Sequence, residues 1–97
     1  MLVRIVKMTF QEEKVHEFLE NFEQAKQKIR TFEGCEHLEL LQGIHQSNVF
    51  FTYSYWQSEE ALEKYRNSAL FKDVWAKTKV LFAEKPSAFS VLKREVL

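Results

Sequence analysis

Across residues 11–32 the apolar side chains Val15, Phe18, Leu19, Phe22, Ala25, Ile29 and Phe32 recur three or four places apart, with Glu, Lys and Gln filling the gaps. That spacing gathers them on one stripe of a 3.6-residue period and predicts a long amphipathic helix, whose stripe must be covered by something apolar. Thr9 with Glu12 three places on is a candidate reciprocal cap for its start. Gly34, just past its end, is free to take the left-handed conformation that closes a helix.

The flanking segments supply the cover. Residues 2–10 are dense in Val, Ile, Met and Thr with no turn residue among them, and predict a first strand. Residues 36–42 alternate, 43–48 form a polar turn, and Val49–Trp56 is a second run, giving two antiparallel strands joined by a short loop. Ser58 followed by Glu59 and Glu60 reads as a helix start, with Ala61, Leu62 and Tyr65 as the inner stripe. Ser68 offers a second cap, after which Leu70, Phe71, Val74, Trp75, Thr78, Leu81 and Phe82 continue the helical spacing on a redirected axis until Lys85-Pro86. Residues 87–93 alternate again as a last strand.

The order strand, helix, strand, strand, helix, strand predicts an α+β domain over residues 1–97. It is a ferredoxin-like βαββαβ sandwich with helices on one face of an antiparallel sheet. The other face is left bare, yet the strands carry apolar or aromatic residues at both parities: Phe50 and Trp56 on one side, Val49, Phe51, Tyr53 and Tyr55 on the other. With 14% aromatic residues in 97, the large side chains exceed what one small core hides. A homodimer packed sheet against sheet is therefore expected.

Fourteen basic and fourteen acidic residues balance to a formal charge of zero and are mixed along the chain, so there is no electrostatic footprint for nucleic acid or an anionic membrane. No apolar run is long enough to cross a bilayer. The single Cys35 has no partner for an internal disulfide, and the start of the sequence lacks a secretory pattern, which together point to the cytoplasm. His16, His37 and His45 match no metal spacing, so no metal is expected. Two glycines in all leave no phosphate loop, and no serine sits in a nucleophile elbow.

Phe32-Glu33-Gly34-Cys35 after the long helix, Trp56 ending its strand, Ser58-Glu59-Glu60-Ala61-Leu62, Tyr65, Ser68 and Phe71 together resemble the antibiotic biosynthesis monooxygenase domain family of the dimeric α/β-barrel superfamily, over nearly the whole chain. The resemblance implies a cavity between sheet and helices in which a phenolic or quinol-like substrate reacts with molecular oxygen, often with no metal or flavin; no cofactor is expected. It maps the family's strand-end tryptophan onto Trp56. It puts Tyr65 where many relatives carry His, and Thr52 where relatives that make aromatic polyketides carry Asn. The axial His and first-strand Asn of haem-degrading relatives have no counterpart in the corresponding segments.

Trp56, Tyr65 and Thr52 are thus the candidate catalytic residues, and Phe71, Trp75, Phe22 and His37 the candidate contacts to a small aromatic substrate. Each has a plainer reading: Trp56 as core with its indole satisfied locally, Tyr65 as a helix-edge phenol, His37 paired with Glu39 two places along one strand face. Glu12-Glu13 and Glu59-Glu60 need only be helix-start charges. The leading expectation is a cofactor-independent monooxygenase. A ligand-binding module without chemistry and a purely structural dimer are the alternatives.

Overall fold

The computed structural model describes all residues, Met1–Leu97. Strand β1 (Leu2–Thr9) is followed by a single 3-10 turn (Glu12–Lys14) and helix α1 (Val15–Arg30). Next come β2 (Cys35–Gln42), β3 (Val49–Trp56), α2 (Glu59–Arg66), α3 (Ala69–Lys79) and β4 (Ser87–Leu92). The four strands form one antiparallel sheet in the order β2-β3-β1-β4, and the helices cover one of its faces. This is the α+β, ferredoxin-like arrangement the sequence predicts. No helix is long and apolar enough to cross a membrane.

Register sorts the side chains. Leu2, Arg4, Val6 and Met8 of β1 stand opposite Trp56, Ser54, Thr52 and Phe50 of β3, and this set points to the helices. Val3 and Ile5 stand opposite Tyr55 and Tyr53 on the open face, joined there by Phe89 and Val91 of β4 and by His37 and Glu39 of β2. Between sheet and helices the core divides into two clusters. One gathers Leu2, Ile29, Cys35, Trp56, Leu62 and Tyr65. The other gathers Met8, Phe10, Phe18, Phe50 and Leu81, with Phe10 stacked on Phe18 at 4.1 Å between ring centroids.

Gly34 takes the left-handed conformation, with φ at +92°, but it does not close the helix: α1 is capped at Thr31, and Gly34 sits in the next turn, where Cys35 N donates to the Phe32 carbonyl at 3.0 Å, while its own carbonyl accepts from the Gln57 N–H at 2.9 Å. Ser58 Oγ caps α2 by accepting from Ala61 N at 3.1 Å. Ser68 Oγ accepts from Phe71 N at 3.1 Å and donates to the Tyr65 carbonyl at 2.6 Å. This one hydroxyl therefore ties the end of α2 to the start of α3, and the bend at Ser68 is a true break between two helices.

Three further local expectations are corrected. Thr9 does not cap α1: it remains in β1, its carbonyl accepting from Ala83 N at 2.8 Å, while Gln11 N donates to the Leu81 carbonyl at 3.0 Å. With that backbone engaged, the chain turns through the 3-10 segment before α1 begins at Val15. At the other end α3 stops at Lys79, well before Pro86, and Phe82 forms an isolated bridge with Phe10 instead of extending the helix. β2 begins at Cys35, with a register irregularity between Cys35 and His37 that lets Cys35 face the core opposite Trp56.

Candidate active site

A cavity of about 290 Å³ lies between the two core clusters, at the lower end of the roughly 300–1,000 Å³ usual for small-molecule sites. Its floor is the helix-facing side of the sheet, from Arg4 and Val6 to Thr52, Ser54 and Trp56. Its roof is Phe18 and Phe22 of α1, Leu62 and Tyr65 of α2, and Phe71 and Trp75 of α3. Trp56, Tyr65, Thr52, Phe71, Trp75 and Phe22, all singled out from the sequence, are brought together around this one hollow.

Trp56 is 1% exposed. Its ring stacks on Tyr65 at 4.9 Å between centroids and 25° between planes, and its indole N–H donates to Ser54 Oγ at 3.0 Å. The wall continues from Tyr65 edge-on to Phe71 at 5.2 Å and from Phe71 stacked on Trp75 at 5.9 Å. Four rings in series, begun by the last residue of β3 and held by the Ser68 cap, form a continuous aromatic side to the cavity. A flat ring fits such a surface by stacking.

His37 is placed elsewhere. It lies on the open face of the sheet, its ring 4.7 Å from that of Tyr55 and its Nε2 hydrogen-bonded to Glu39, and it takes no part in the cavity lining. The expectation that it contacts a substrate in this cavity is corrected. On the same face Tyr55 donates to Tyr53 at 3.5 Å, and Lys93 sits over the Tyr55 ring at 4.4 Å, holding that phenol below its ordinary range.

The electrostatics limit the chemistry. Burial pushes the Tyr65 phenol well above its ordinary value of 10, with a smaller contribution from Cys35. Tyr65 is therefore a neutral hydroxyl at neutral pH and serves as a hydrogen-bond donor and not as a base. Burial also raises the Cys35 thiol, which keeps it a packed, protonated side chain. Arg4, Tyr65 and Arg66 are the ionisable residues of the lining, which contains no carboxylate and no imidazole. No three His, Cys, Asp or Glu side chains converge as a metal site.

Sequence reasoning missed Arg4, Ser54 and Arg66. Arg4 was visible in principle: it shares the period-2 face of Leu2, Val6 and Met8, so a charge there points inward. Ser54 carries the same signal, lying between Thr52 and Trp56 on one face of β3, whereas Arg66 carries none, since its position depends on how α2 packs.

The sequence profile of the antibiotic biosynthesis monooxygenase family matches residues 1–77. Among solved structures, one named an antibiotic biosynthesis monooxygenase is 15% identical, covering 94% of this chain and 96% of its own, with a TM-score of 0.88. A Nitrosomonas europaea protein bearing the same name provisionally is 16% identical, with 98% and 100% covered and a TM-score of 0.90. A conserved protein from Methanosarcina mazei Go1 is 20% identical, with 94% and 91% covered and a TM-score of 0.87. At these identities the likeness is one of fold. No curated protein matches the chain. With the profile spanning most of the sequence and the fold agreeing throughout, the chain belongs to the antibiotic biosynthesis monooxygenase family.

Proposed function

We propose that this protein is a cofactor-independent monooxygenase that binds a small aromatic or quinol-type molecule in the cavity and presents it to molecular oxygen. The observation that carries the reading is the wall from Trp56 through Tyr65 and Phe71 to Trp75, enclosing a hollow the size of a small ring system. The ring supplies the electrons: a hydroquinone and one O2 give a hydroxyquinone and water, one oxygen atom entering the ring and the other leaving as water. The protein's part is to exclude bulk water, hold the ring flat against Trp56, and stabilise the developing oxyanion with the neutral hydroxyls of Tyr65 and Thr52.

Two copies meet through the open sheet face, where Ile5, Phe51, Tyr53, Phe89 and Val91 form a continuous apolar surface that no helix of the chain covers. A reducing compartment such as the cytoplasm suits the single protonated thiol.

A binding module without chemistry is the second reading, favoured by the absence of any base in the lining. Oxygen uptake measured with a panel of hydroquinones separates the two. Uptake matched mole for mole by hydroxylated quinone, and lowered by Trp56→Phe, supports the monooxygenase. Ring binding with no uptake across the panel favours the binding module, and neither binding nor uptake sinks both.

A further inference from the structure

We infer that Arg4 and Arg66 form an oxyanion-receiving rim on the cavity, so that its ligand is an aromatic ring bearing a negatively charged oxygen, the ring inward and the charge at the mouth. This deepens the reading of the cavity as a ligand site and rests on it. Among the lining residues only Arg66 and Ala88 are exposed, and these mark where the hollow opens, beside β4; Arg4, half-buried, pairs through its backbone with Ser90 of that strand, two places from Ala88.

Arg4 is the unusual member. It stands on the helix-facing side of the central strand β1, among Leu2, Val6 and Met8. Its side chain bonds a neutral hydroxyl, Ser90 Oγ, at 3.0 Å, and it joins none of the chain's ion pairs. A guanidinium has five donors and stays charged in proteins, so most of its hydrogen-bonding capacity is unspent. Arg66 ends α2, where a cation complements the helix dipole, and is paired with the exposed Glu63 at 3.5 Å. Two cations with one carboxylate leave the rim positive.

The Arg4 guanidinium is pulled below its ordinary value by burial first and by Arg66 next, with Glu63 opposing. The pair therefore repel each other in a partly desolvated place, an arrangement that an anion between them relieves. An oxyanion entering past them meets no carboxylate in the lining. The same field favours ionisation of a bound phenol. That supplies the electron-rich anion for reaction with oxygen although the cavity holds no base, its proton passing to solvent at the mouth.

Both tryptophans of the chain, Trp56 and Trp75, line the cavity, so quenching of their fluorescence reports occupancy directly. The test compares two matched pairs, benzoate with methyl benzoate and 4-nitrophenolate with 4-nitroanisole, for the unchanged protein, Arg4→Gln, Arg4→Lys and Arg66→Gln. The anionic member of at least one pair is expected to bind about tenfold or more tighter, and which pair does so tells a carboxylate from a phenolate as the recognised group. Arg4→Gln is expected to abolish that preference and leave the neutral member's affinity unchanged, Arg4→Lys to retain part of it, and Arg66→Gln to reduce it.

In the unchanged protein the preference is expected to shrink between ~50 mM and ~500 mM salt. Because Arg66 is exposed, its variant and the salt series carry the test even where replacement of Arg4 impairs folding. Equal affinity within both pairs, or a preference that survives Arg66→Gln and high salt undiminished, overturns the inference. Oxygen uptake retained without any preference for the anion sinks this inference alone, whereas the preference without uptake sinks the oxygenase reading alone.

Discussion

Gly34 and Ala61 meet so closely that a Cβ on Gly34 would lie 2.6 Å from the Cβ of Ala61. The contact seats the first turn of α2 on the turn that follows α1. The Gly34 carbonyl also holds the Gln57 N–H just after Trp56. One glycine therefore sets both the approach of α2 to the sheet and the exit of the chain from β3, the two elements that bring Tyr65 onto Trp56.

Gly34→Ala is expected to destabilise the protein by about 1–3 kcal/mol, from the positive φ and the clash together. Since α2 must shift to admit the methyl group, ring binding in the cavity should weaken as well. Chemical denaturation with a parallel tryptophan titration checks both, and unchanged stability would show that α2 is not seated on this glycine.

Ser54 is the acceptor for the buried Trp56 indole. Ser54→Ala leaves that N–H without a partner in a core position and is expected to cost about 1–3 kcal/mol. In a Trp56→Phe background the donor is gone, and the same serine replacement should cost less than about 0.5 kcal/mol. Equal costs in the two backgrounds, measured by denaturant unfolding, would mean that the hydrogen bond does not hold the ring.

The raised Tyr65 phenol links folding to alkaline pH. Because it ionises at a higher pH in the folded chain than in the unfolded one, its contribution is fully present below its ordinary value of 10 and is lost as pH rises beyond that. The unfolded chain releases its proton first and is stabilised. Unfolding followed from about pH 8 to about pH 11 should therefore show the wild type losing stability more steeply than Tyr65→Phe. Cys35, also raised, adds a similar loss in both proteins and cancels in the comparison. Identical slopes would place Tyr65 in contact with solvent.

Sheet-to-sheet pairing makes a prediction at Phe89, which is 56% exposed in the single chain and so tolerates a charge there when alone. Sedimentation at micromolar concentration should show a dimer for the wild type. For Phe89→Glu, the dimer dissociation constant should rise by roughly 100-fold or more, because the carboxylate would be buried unpaired. A wild-type monomer, or an undisturbed dimer in the variant, would reject the open face as the interface.

Features set by residues a few places apart were legible before the fold was known. The bounds of β3, the caps at Ser58 and Ser68 and the left-handed Gly34 depend on local hydrogen bonds and local φ, which side-chain type controls directly. The ring series from Trp56 to Trp75 followed from strand and helix periods once those elements were placed. His37 was misplaced because alternation tells which residues share a face but not which face the helices take, and the irregularity after Cys35 shifts the phase at that point. Thr9 and Phe82 escaped for another reason. Their backbone groups are claimed by segments some seventy residues away in sequence, a competition that no local window contains. Arg66 is an ordinary charge in its own segment, and only the packing of α2 against the sheet brings it to the same cavity as Arg4, whose inward face the strand period alone shows.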